Sequence, residues 1–290
     1  MLTDHGRAAT TAFEKHRPLL KRIAYRMLGS HADAEDMVQE AFIRWMKADH
    51  AAIRSDEAFL RRMVSRLCLD QLKSARAQRE TYIGPWLPEP AIEEEPEVDF
   101  TLPLMLALER LSPLERAAFL LHDVFGMDFA AVGDALERSP QTCRQLAARA
   151  RAHVREDGPR FPVEPQLGLD VARAFHAASR SGDIAALRDM LVADASFHAD
   201  GGGKRSAAFR VVTGVEDIIT IHKRLAEIAW NQGCALVRLC YVNGLPGFIT
   251  READGELQVT ALLPRDGKIA AIYVMRNPDK LRHLDPRMMH

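Results

Sequence analysis

MDFAAVGDALERSPQTCRQLAARARAHVRE, residues 127–156, is the stretch that decides the fold of the middle of this chain. Asp128 is a suitable N-cap for a short helix of small residues, and the letters ERS form a tight turn. Ser139 followed by Pro140 is typical of the start of a second helix, which carries arginines and no acid before Glu156. The order of helix, tight turn and basic helix predicts a helix-turn-helix.

The second helix of this motif is expected to enter the major groove of DNA, with its first residues at base edges and its later arginines at phosphates. Arginine can hold guanine, and glutamine can hold adenine, through two hydrogen bonds. The alternative is a helical hairpin with a solvated basic face, but cap, turn and charge together favour DNA binding. The candidate DNA-binding residues are Arg138, Gln141, Thr142, Arg144, Gln145 and Arg149.

Residues 13–77 form an earlier block whose apolar side chains recur at helical spacing, which predicts three or more helices and no strand. Within it DAEDMVQEAFIRW (33–45) has Asp33 as its predicted N-cap. Asp36 and Glu40 lie four residues apart, opposite an apolar face. The acidic face could dock a basic partner, although on this stripe alone a solvated helix face is the simpler interpretation.

The next helix, EAFLRRMVSRLCLDQLKSARAQR (57–79), is basic, with Asp70 as its main acid after the first residue. Such a helix is suited to phosphate contact, because each neutralised phosphate releases counterions. A solvated helix with long cationic side chains remains the alternative. The cations are Arg61, Arg62, Arg66, Lys73, Arg76 and Arg79.

The bulk composition excludes several classes of protein. The 290 residues are 47% hydrophobic and carry a net charge of −1, which indicates a globular chain of about two or three domains. No basic start precedes an apolar run, and no window approaches the roughly 20 apolar residues of a membrane span, so we expect a cytoplasmic protein without a membrane partner. The four cysteines lack metal-site spacing, so we expect reduced thiols, no metal and no cofactor.

Two stretches rich in proline divide the chain. YIGPWLPEPAIEEEPEVDF (82–100) and EDGPRFPVEPQLG (156–168) are predicted to be linkers, because their prolines forbid a continuous helix. After the second linker, helical patterns over 169–193 and 214–229 precede β-branched runs separated by Gly and Pro turns. Helices followed by an antiparallel meander predict an α+β domain.

The two helical blocks in this order, with DAEDMVQEAFIRW in the first and LSPLERAAFLLHDVFGMDFAAVGDALERSPQTCRQLAARAR in the second, resemble a bacterial extracytoplasmic-function sigma factor of the sigma-70 family. The resemblance implies that the first block binds core RNA polymerase and captures the −10 element of promoter DNA, and that the helix-turn-helix reads the −35 element. Its implied polymerase-binding residues are Asp33, Glu35, Asp36, Gln39 and Glu40. Its implied −10 residues are His50, Arg54, Arg61, Arg62, Arg66 and Arg76.

Three short motifs resemble the signatures of a subgroup whose members carry a fused SnoaL-like domain and are governed by it. They are YIGPWLPEP (82–90), DGGGK (200–204) and NPDKL (277–281). The implied fold is two all-α domains, residues 8–80 and 101–156, followed by an α+β cone of the NTF2-like class, residues 167–285. Residues 81–100 and 157–166 are the implied linkers between them. The expected regulatory contacts are Trp86, Leu87, Pro88, Asp200, Gly201, Gly202, Gly203, Lys204, Asn277, Pro278, Asp279, Lys280 and Leu281.

We expect Trp86 and its prolines to dock on the C-terminal domain and so to set the spacing of the two DNA-binding blocks. A plain acidic tether is the alternative. Two further functions stay open: a DNA-binding repressor, and a C-terminal cyclase, isomerase or small-ligand sensor. The candidate general bases of such an enzyme are Asp194, His198, Asp200 and His222.

Overall fold

The computed structural model describes residues 4–79, 82–95, 101–156 and 165–284. These residues form two compact units, one from Met1–Glu80 and Pro103–Gly158 and the other from Thr81–Leu102 and Pro159–His290. The stretch predicted to be the first linker therefore belongs to the same unit as the C-terminal domain. None of the helices in the described ranges is both long and apolar enough to cross a membrane.

The described residues of the first unit form helices joined by short turns and no strand, as the periodicity predicts. Its shorter turns are a 3-10 turn at His50–Ala52 and a π-helical turn at Leu120–Val124. The helices are α1 (Asp4–Leu28), α2 (His31–Met46), α3 (Asp56–Arg79), α4 (Leu102–Glu109), α5 (Pro113–Phe119), α6 (Phe129–Leu136) and α7 (Pro140–Glu156).

Two of the three predicted helix caps are present, and the third is wrong. Asp128 and Ser139 each accept a hydrogen bond from the amide three residues on, at 2.7 and 3.1 Å. Helix α2, however, begins at His31, and its cap is Ser30, which accepts from the amide of Asp33 at 3.2 Å. Serine caps as well as aspartate does, so the earlier residue starts the helix and Asp33 lies in its first turn.

The turn between α6 and α7 is tight because of Gly133. A Cβ atom on Gly133 would lie 2.7 Å from the carbonyl oxygen of Arg138, closer than any side chain tolerates. Glu137 ends α6 in the left-handed conformation, with φ of 55°.

The core of the first unit includes Trp45, which is 1% exposed. Its indole N–H donates a hydrogen bond to the carbonyl of Ala9 at 2.8 Å.

In its described residues the second unit combines four α-helices and a 3-10 turn at Arg282–Leu284 with a seven-stranded mixed sheet. Strands β4 to β7 form an antiparallel meander, and β2 pairs with β7 in parallel, which gives the order β1-β4-β5-β6-β7-β2-β3. The helices are α8 (Pro165–Ser181), α9 (Ile184–Met190), α10 (Val215–Gln232) and α11 (Pro278–Leu281). The strands are β1 (Ile92–Glu93), β2 (Leu191–Asp200), β3 (Val212–Thr213), β4 (Ala235–Val242), β5 (Leu245–Arg251), β6 (Leu257–Arg265) and β7 (Lys268–Met275).

The α+β prediction is confirmed, but its element boundaries need correction. The pattern over 169–193 is two helices, because the chain turns at Gly182 with φ of 72°. Its last residues begin β2, a strand absent from the prediction. Ile92 and Glu93 pair with β4, although their stretch is predicted to be a linker. Helices α8, α9 and α10 contribute with the strands to one apolar core, which contains Phe175 and Phe197.

Candidate functional site

Asp200, the last residue of β2, is the most enclosed acid of the C-terminal motifs, with 0% exposure. Its carboxylate accepts hydrogen bonds from the Tyr82 hydroxyl at 2.5 Å, the Leu87 amide at 2.8 Å and the Lys280 ammonium at 2.7 Å. Two of these donors come from the linker stretch and one from α11. The carboxylate therefore joins all three short motifs at one point.

Lys280 completes this arrangement from α11. Its ammonium group also donates to the carbonyl of Leu87 at 2.5 Å. It lies 4.7 Å from the ring centroid of Tyr82 and 4.3 Å from that of Trp86, which are cation–π distances. A buried charge is tolerated where it is paired and hydrogen-bonded. We call Tyr82, Trp86, Leu87, Asp200 and Lys280 the linker site.

The glycines of DGGGK let the linker come close to the end of β2. Gly202 and Gly203 adopt positive φ values of 59° and 69°, which residues other than glycine rarely adopt. A Cβ atom on Gly203 would lie 2.9 Å from the Ile83 side chain, so the linker occupies the space that a side chain would need. Beside them Lys204 forms an ion pair with Asp279.

Asn277 caps α11 and holds the linker. Its side-chain oxygen accepts from the amide of Asp279 at 3.1 Å, and its side-chain nitrogen donates to the Tyr82 hydroxyl at 2.8 Å. Pro278 occupies the first position of α11, where proline is preferred. Other predicted contact residues of the three motifs that are buried are Leu87, Pro88, Gly201 and Leu281.

The surroundings of the linker site shift the pKa values of Tyr82 and Asp279 in opposite directions. Burial, together with the hydrogen bond to the Asp200 carboxylate, raises the pKa of Tyr82 well above its ordinary value of 10. The hydrogen bond from Lys204 lowers the pKa of Asp279. Tyr82 thus remains a hydrogen-bond donor at neutral pH. Across the described residues, no group of three or more His, Cys, Asp and Glu side chains is arranged to hold a metal ion.

The candidate general bases do not converge. Asp200 is engaged by the three donors of the linker site, and exposed Asp194 pairs with Arg265. His222 is buried, with its ring 6.0 Å from that of Phe197. His198 follows Phe197 on β2, so its side chain points to the opposite face of the sheet.

The predicted polymerase-binding face on α2 is only partly available. Asp36 and Gln39 are exposed, and Glu40 pairs with Arg44 at 2.7 Å. Glu35 instead bonds to α1, where it pairs with Lys21 at 3.0 Å and with Arg17. Lys21 and Arg17 donate hydrogen bonds that lower the pKa of Glu35.

The start of α7 presents most of its predicted DNA readers to solvent. Thr142 differs, because its hydroxyl lies 2.9 Å from that of Ser139 within the helix cap. The Arg144 guanidinium lies 5.4 Å from the ring centroid of Phe129, and Arg149 lies 3.7 Å from Glu115. The exposed candidates are Arg138, Gln141, Arg144, Gln145 and Arg149.

Comparison with known proteins agrees with this geometry. Residues 12–78 match the model of Sigma-70 region 2, and residues 101–154 match the model of Sigma-70, region 4. The chain is 38% identical to the ECF RNA polymerase sigma factor SigJ of Mycobacterium tuberculosis (strain ATCC 25618 / H37Rv), over 92% of this chain and 91% of that one. This chain belongs to the extracytoplasmic-function sigma factors.

A second relative and one solved structure match this sigma factor over nearly its whole length. It is 34% identical to the probable ECF RNA polymerase sigma factor SigI of Mycobacterium tuberculosis (strain CDC 1551 / Oshkosh), over 94% of each chain. The crystal structure of the Mycobacterium tuberculosis sigma factor SigJ superposes with a TM-score of 0.76 at 34% identity. That match covers 94% of this chain and 98% of SigJ, so the likeness includes the C-terminal α+β domain of the sigma factor.

Two arginines assigned to the −10 element face the helix-turn-helix of this sigma factor. Arg66 donates to the carbonyls of Asp134 and Ala135 at 2.9 and 3.3 Å. Arg61 donates to the carbonyl of Phe125 at 3.4 Å. In this conformation both guanidinium groups are bonded inside the first unit.

The remaining −10 candidates of the sigma factor lie on other surfaces of the first unit. The Arg62 guanidinium lies 5.4 Å from the Phe59 ring, and His50 packs edge-on against Trp45 with ring centroids 4.3 Å apart. Arg54 is exposed. The side chain of Arg76 lies outside the described residues.

Sequence reasoning misses two residues that organise the sigma factor. Tyr82 stands in the quoted linker motif, and its aromatic ring beside prolines is the signal that could have identified it. Arg116 is 2% exposed, pairs with Glu109 and donates to the carbonyl of Arg26 at 3.3 Å. It thereby joins the helix-turn-helix block to α1, and no sequence pattern distinguishes it from a surface arginine.

Proposed function

We propose that this sigma factor brings core RNA polymerase to specific promoters and initiates transcription there, and that its C-terminal domain regulates it in cis by binding the linker. The observation that carries the regulatory part is the linker site. Asp200 and Lys280 of the C-terminal domain bind the stretch between the two DNA-binding blocks through buried, charge-assisted hydrogen bonds. Regulation in cis would then follow from the state of these bonds.

We assign polymerase binding to the acidic face of α2, with Asp36 and Gln39 as its most exposed members. An exposed carboxylate can meet a basic surface without first breaking an internal ion pair. The start of α7 would read the −35 element, because its arginine and glutamine side chains are exposed where a recognition helix meets base edges.

The −10 element would be captured by the cationic surface of α3, after Arg61 and Arg66 leave their carbonyl partners. The domain boundaries proposed from the sequence remain our working division, with one refinement. Residues 82–95 act with the C-terminal domain, since they share its compact unit. Because the candidate general bases do not converge, we propose no catalytic role for that domain.

In vitro transcription with core RNA polymerase tests the proposed function. The template would be a library randomised over the −35 and −10 positions, so that no promoter sequence is assumed. We expect transcripts with a common start and a selected sequence when the full chain, or a chain ending near residue 156, is added. The absence of promoter-dependent transcripts with either protein would refute sigma activity.

A second comparison tests regulation by the linker site. Trp86→Ala removes the aromatic face over Lys280 and should change promoter output from the full chain. The same substitution should leave the binding of a −35 duplex by the helix-turn-helix unaltered. A full chain whose transcription does not respond to Trp86→Ala or to Lys280→Met would reduce the linker to a tether.

A further inference from the structure

The turn between β4 and β5 is unusual because it is buried. Asn243 and Gly244 both have positive φ, 48° and 73°, which is the type I′ geometry of a two-residue hairpin. Hairpin turns normally lie in solvent, yet Asn243 is only 2% exposed. Something therefore packs over this turn.

One group that contacts the turn is the end of the proline stretch of the linker. The Asn243 amide donates to the carbonyl of Ala91 at 2.9 Å, and the Ala91 amide donates to the Asn243 side-chain oxygen at 3.3 Å. The Gly244 amide donates to the Glu93 carboxylate at 3.1 Å. These bonds continue into the β1–β4 pairing, in which Ile92 lies opposite Val242.

The other group is the first residue of helix α4. The amide of Leu102 donates to the carbonyl of Asn243 at 2.8 Å. The first amides of a helix have no partner within the helix, so Asn243 satisfies one of them from outside. The same two-residue turn thus holds Ala91 and Glu93 on one side of the acidic segment and Leu102 on the other.

We infer that Asn243 is a positioning residue, which fastens both ends of the acidic linker segment at one turn of the C-terminal domain and so restrains the start of the −35 reader. This inference rests on the proposed sigma function. It goes beyond the linker site, because it concerns the opposite end of the linker and none of the three short motifs.

The reach of the linker shows why this restraint matters. From Tyr82 to Leu102 an extended chain could span about 70 Å. Both Tyr82 and Leu102 are bonded to one domain of about 120 residues, so the distance between them cannot exceed the diameter of that domain, about 35 Å. The −10 and −35 elements are about 25 base pairs apart, or about 85 Å along B-DNA. Release of Leu102 and Ala91 from the turn would therefore increase the reach available to the two DNA-binding blocks.

A reversible cross-link tests the inference. Ile92 and Val242 lie opposite each other, next to the backbone bond from the Asn243 amide to the Ala91 carbonyl. They therefore form a close pair without mutual hydrogen bonds, with Cα atoms about 4.5 Å apart, which suits a disulfide. We would make Ile92→Cys with Val242→Cys in a full chain carrying Cys234→Ser and Cys240→Ala. Coupling between sites typically changes an equilibrium about 5–150-fold, so the oxidised protein should give about tenfold less transcript, and reductant should restore it.

A matched disulfide within the C-terminal domain is the control. Arg265 and Lys268 lie opposite each other across the β6–β7 hairpin, so Arg265→Cys with Lys268→Cys cross-links the sheet without involving the linker. Its oxidation should leave transcription unchanged. Failure of the Ile92–Val242 disulfide to form, or equal transcription by its oxidised and reduced forms, would overturn the inference.

Release of the acidic linker segment from the turn can be measured by proteolysis, without a transcription assay. Asn243→Gly keeps the positive φ but removes the acceptor for Ala91, and Glu93→Ala removes the partner of Gly244. The double variant should be cleaved about fivefold or more faster by a glutamate-specific protease after Glu94. Glu93→Gln, which keeps an acceptor, should be cleaved at the rate of the unmodified chain.

The two readouts separate the inference from the function on which it rests. If the reduced cysteine variant and the unmodified chain both fail to transcribe, the proposed sigma function is refuted, and the protease rates alone decide whether Asn243 fastens the segment. If the proteins transcribe but cleavage is equally fast in the double variant and the unmodified chain, the role of Asn243 is refuted.

Discussion

Gly202 and Asn277 approach so closely that a Cβ atom on Gly202 would lie 2.2 Å from the Asn277 side-chain nitrogen. Asn277 holds both α11 and Tyr82, so a side chain at position 202 would disturb the linker site. Gly202→Ala should destabilise the second unit by more than the about 1–2 kcal/mol that a left-handed alanine costs by itself. Urea unfolding followed by circular dichroism measures this loss.

Gly267→Ala is the matched control for that substitution. Gly267 has φ of 74°, and a Cβ atom there would meet nothing within 4 Å. Its replacement carries the conformational cost without the collision. Equal destabilisation by the two alanines would contradict the idea that the approach of Asn277 requires glycine at position 202.

The buried pair of Asp200 and Lys280 gives a second prediction. Asp200→Asn leaves the ammonium group of Lys280 buried without its counter-charge, which typically costs about 3–5 kcal/mol. Lys280→Met in the Asp200→Asn background should recover part of this loss, so the two substitutions should not be additive. Asp170→Asn, at an exposed pair with Arg173, should change the free energy of unfolding by at most about 0.5 kcal/mol.

His222 makes the C-terminal domain sensitive to acid. Burial lowers its pKa from 6.5 to about 4, so between these values the unfolded chain binds a proton that the folded chain does not. The contribution of neutral His222 to the free energy of unfolding is therefore fully present above pH 6.5 and is lost as the pH falls toward 4. This one group should remove about 2 kcal/mol between pH 7 and pH 5. His222→Leu should lose correspondingly less over the same interval, and an unaltered pH dependence in that variant would count against the assignment.

Gln141 tests the −35 reader. Its replacement by Ala should weaken binding to the preferred −35 duplex by about 1–3 kcal/mol and relax the preference at one base pair. Arg149→Gln, at a position that we propose contacts phosphate, should weaken binding to all duplexes alike and reduce the salt dependence. Fluorescence anisotropy with preferred and scrambled duplexes separates the two effects. A uniform effect of Gln141→Ala would argue against base contact.

Asp36 tests the polymerase-binding face. Asp36→Arg reverses an exposed charge and should weaken binding to core RNA polymerase by more than about tenfold, because like charges across an interface cost several kcal/mol. Asp70→Arg makes the same reversal on α3, where Asp70 pairs with Lys73, and should have little effect. Surface plasmon resonance with immobilised core polymerase compares the two. Similar losses would indicate that net charge alone governs binding.

Local rules predict the helical blocks well and the sheet less well. Caps such as Asp128 and Ser139 act within three residues, so the sequence around them contains all the necessary information. Strand β2 depends instead on β7, about 75 residues later in the chain, and its partner cannot be read from LVADASFHAD itself. The first residues of β2 therefore continued a helical pattern in the prediction.

The site shows the same division between local and distant information. The glycines of DGGGK predict that another segment lies close to their backbone, but only the fold identifies Ile83 and Asn277 as the residues that lie there. Arg66 has the charge that suits phosphate, yet in this conformation it binds the carbonyls that end α6. Asn243 belongs to an ordinary Asn-Gly turn, and nothing in those two letters indicates that a linker lies on it.

The parallel pairing of β2 with β7 also orders events during synthesis. A ribosome adds about 5–20 residues per second, so roughly 6–24 s separate the emergence of the end of α7 from that of the end of β7. Throughout that interval both DNA-binding blocks are complete, while strand β7, the parallel partner of the strand that ends in Asp200, is still missing. Every newly made molecule thus passes through a stage in which its linker has no finished domain to bind.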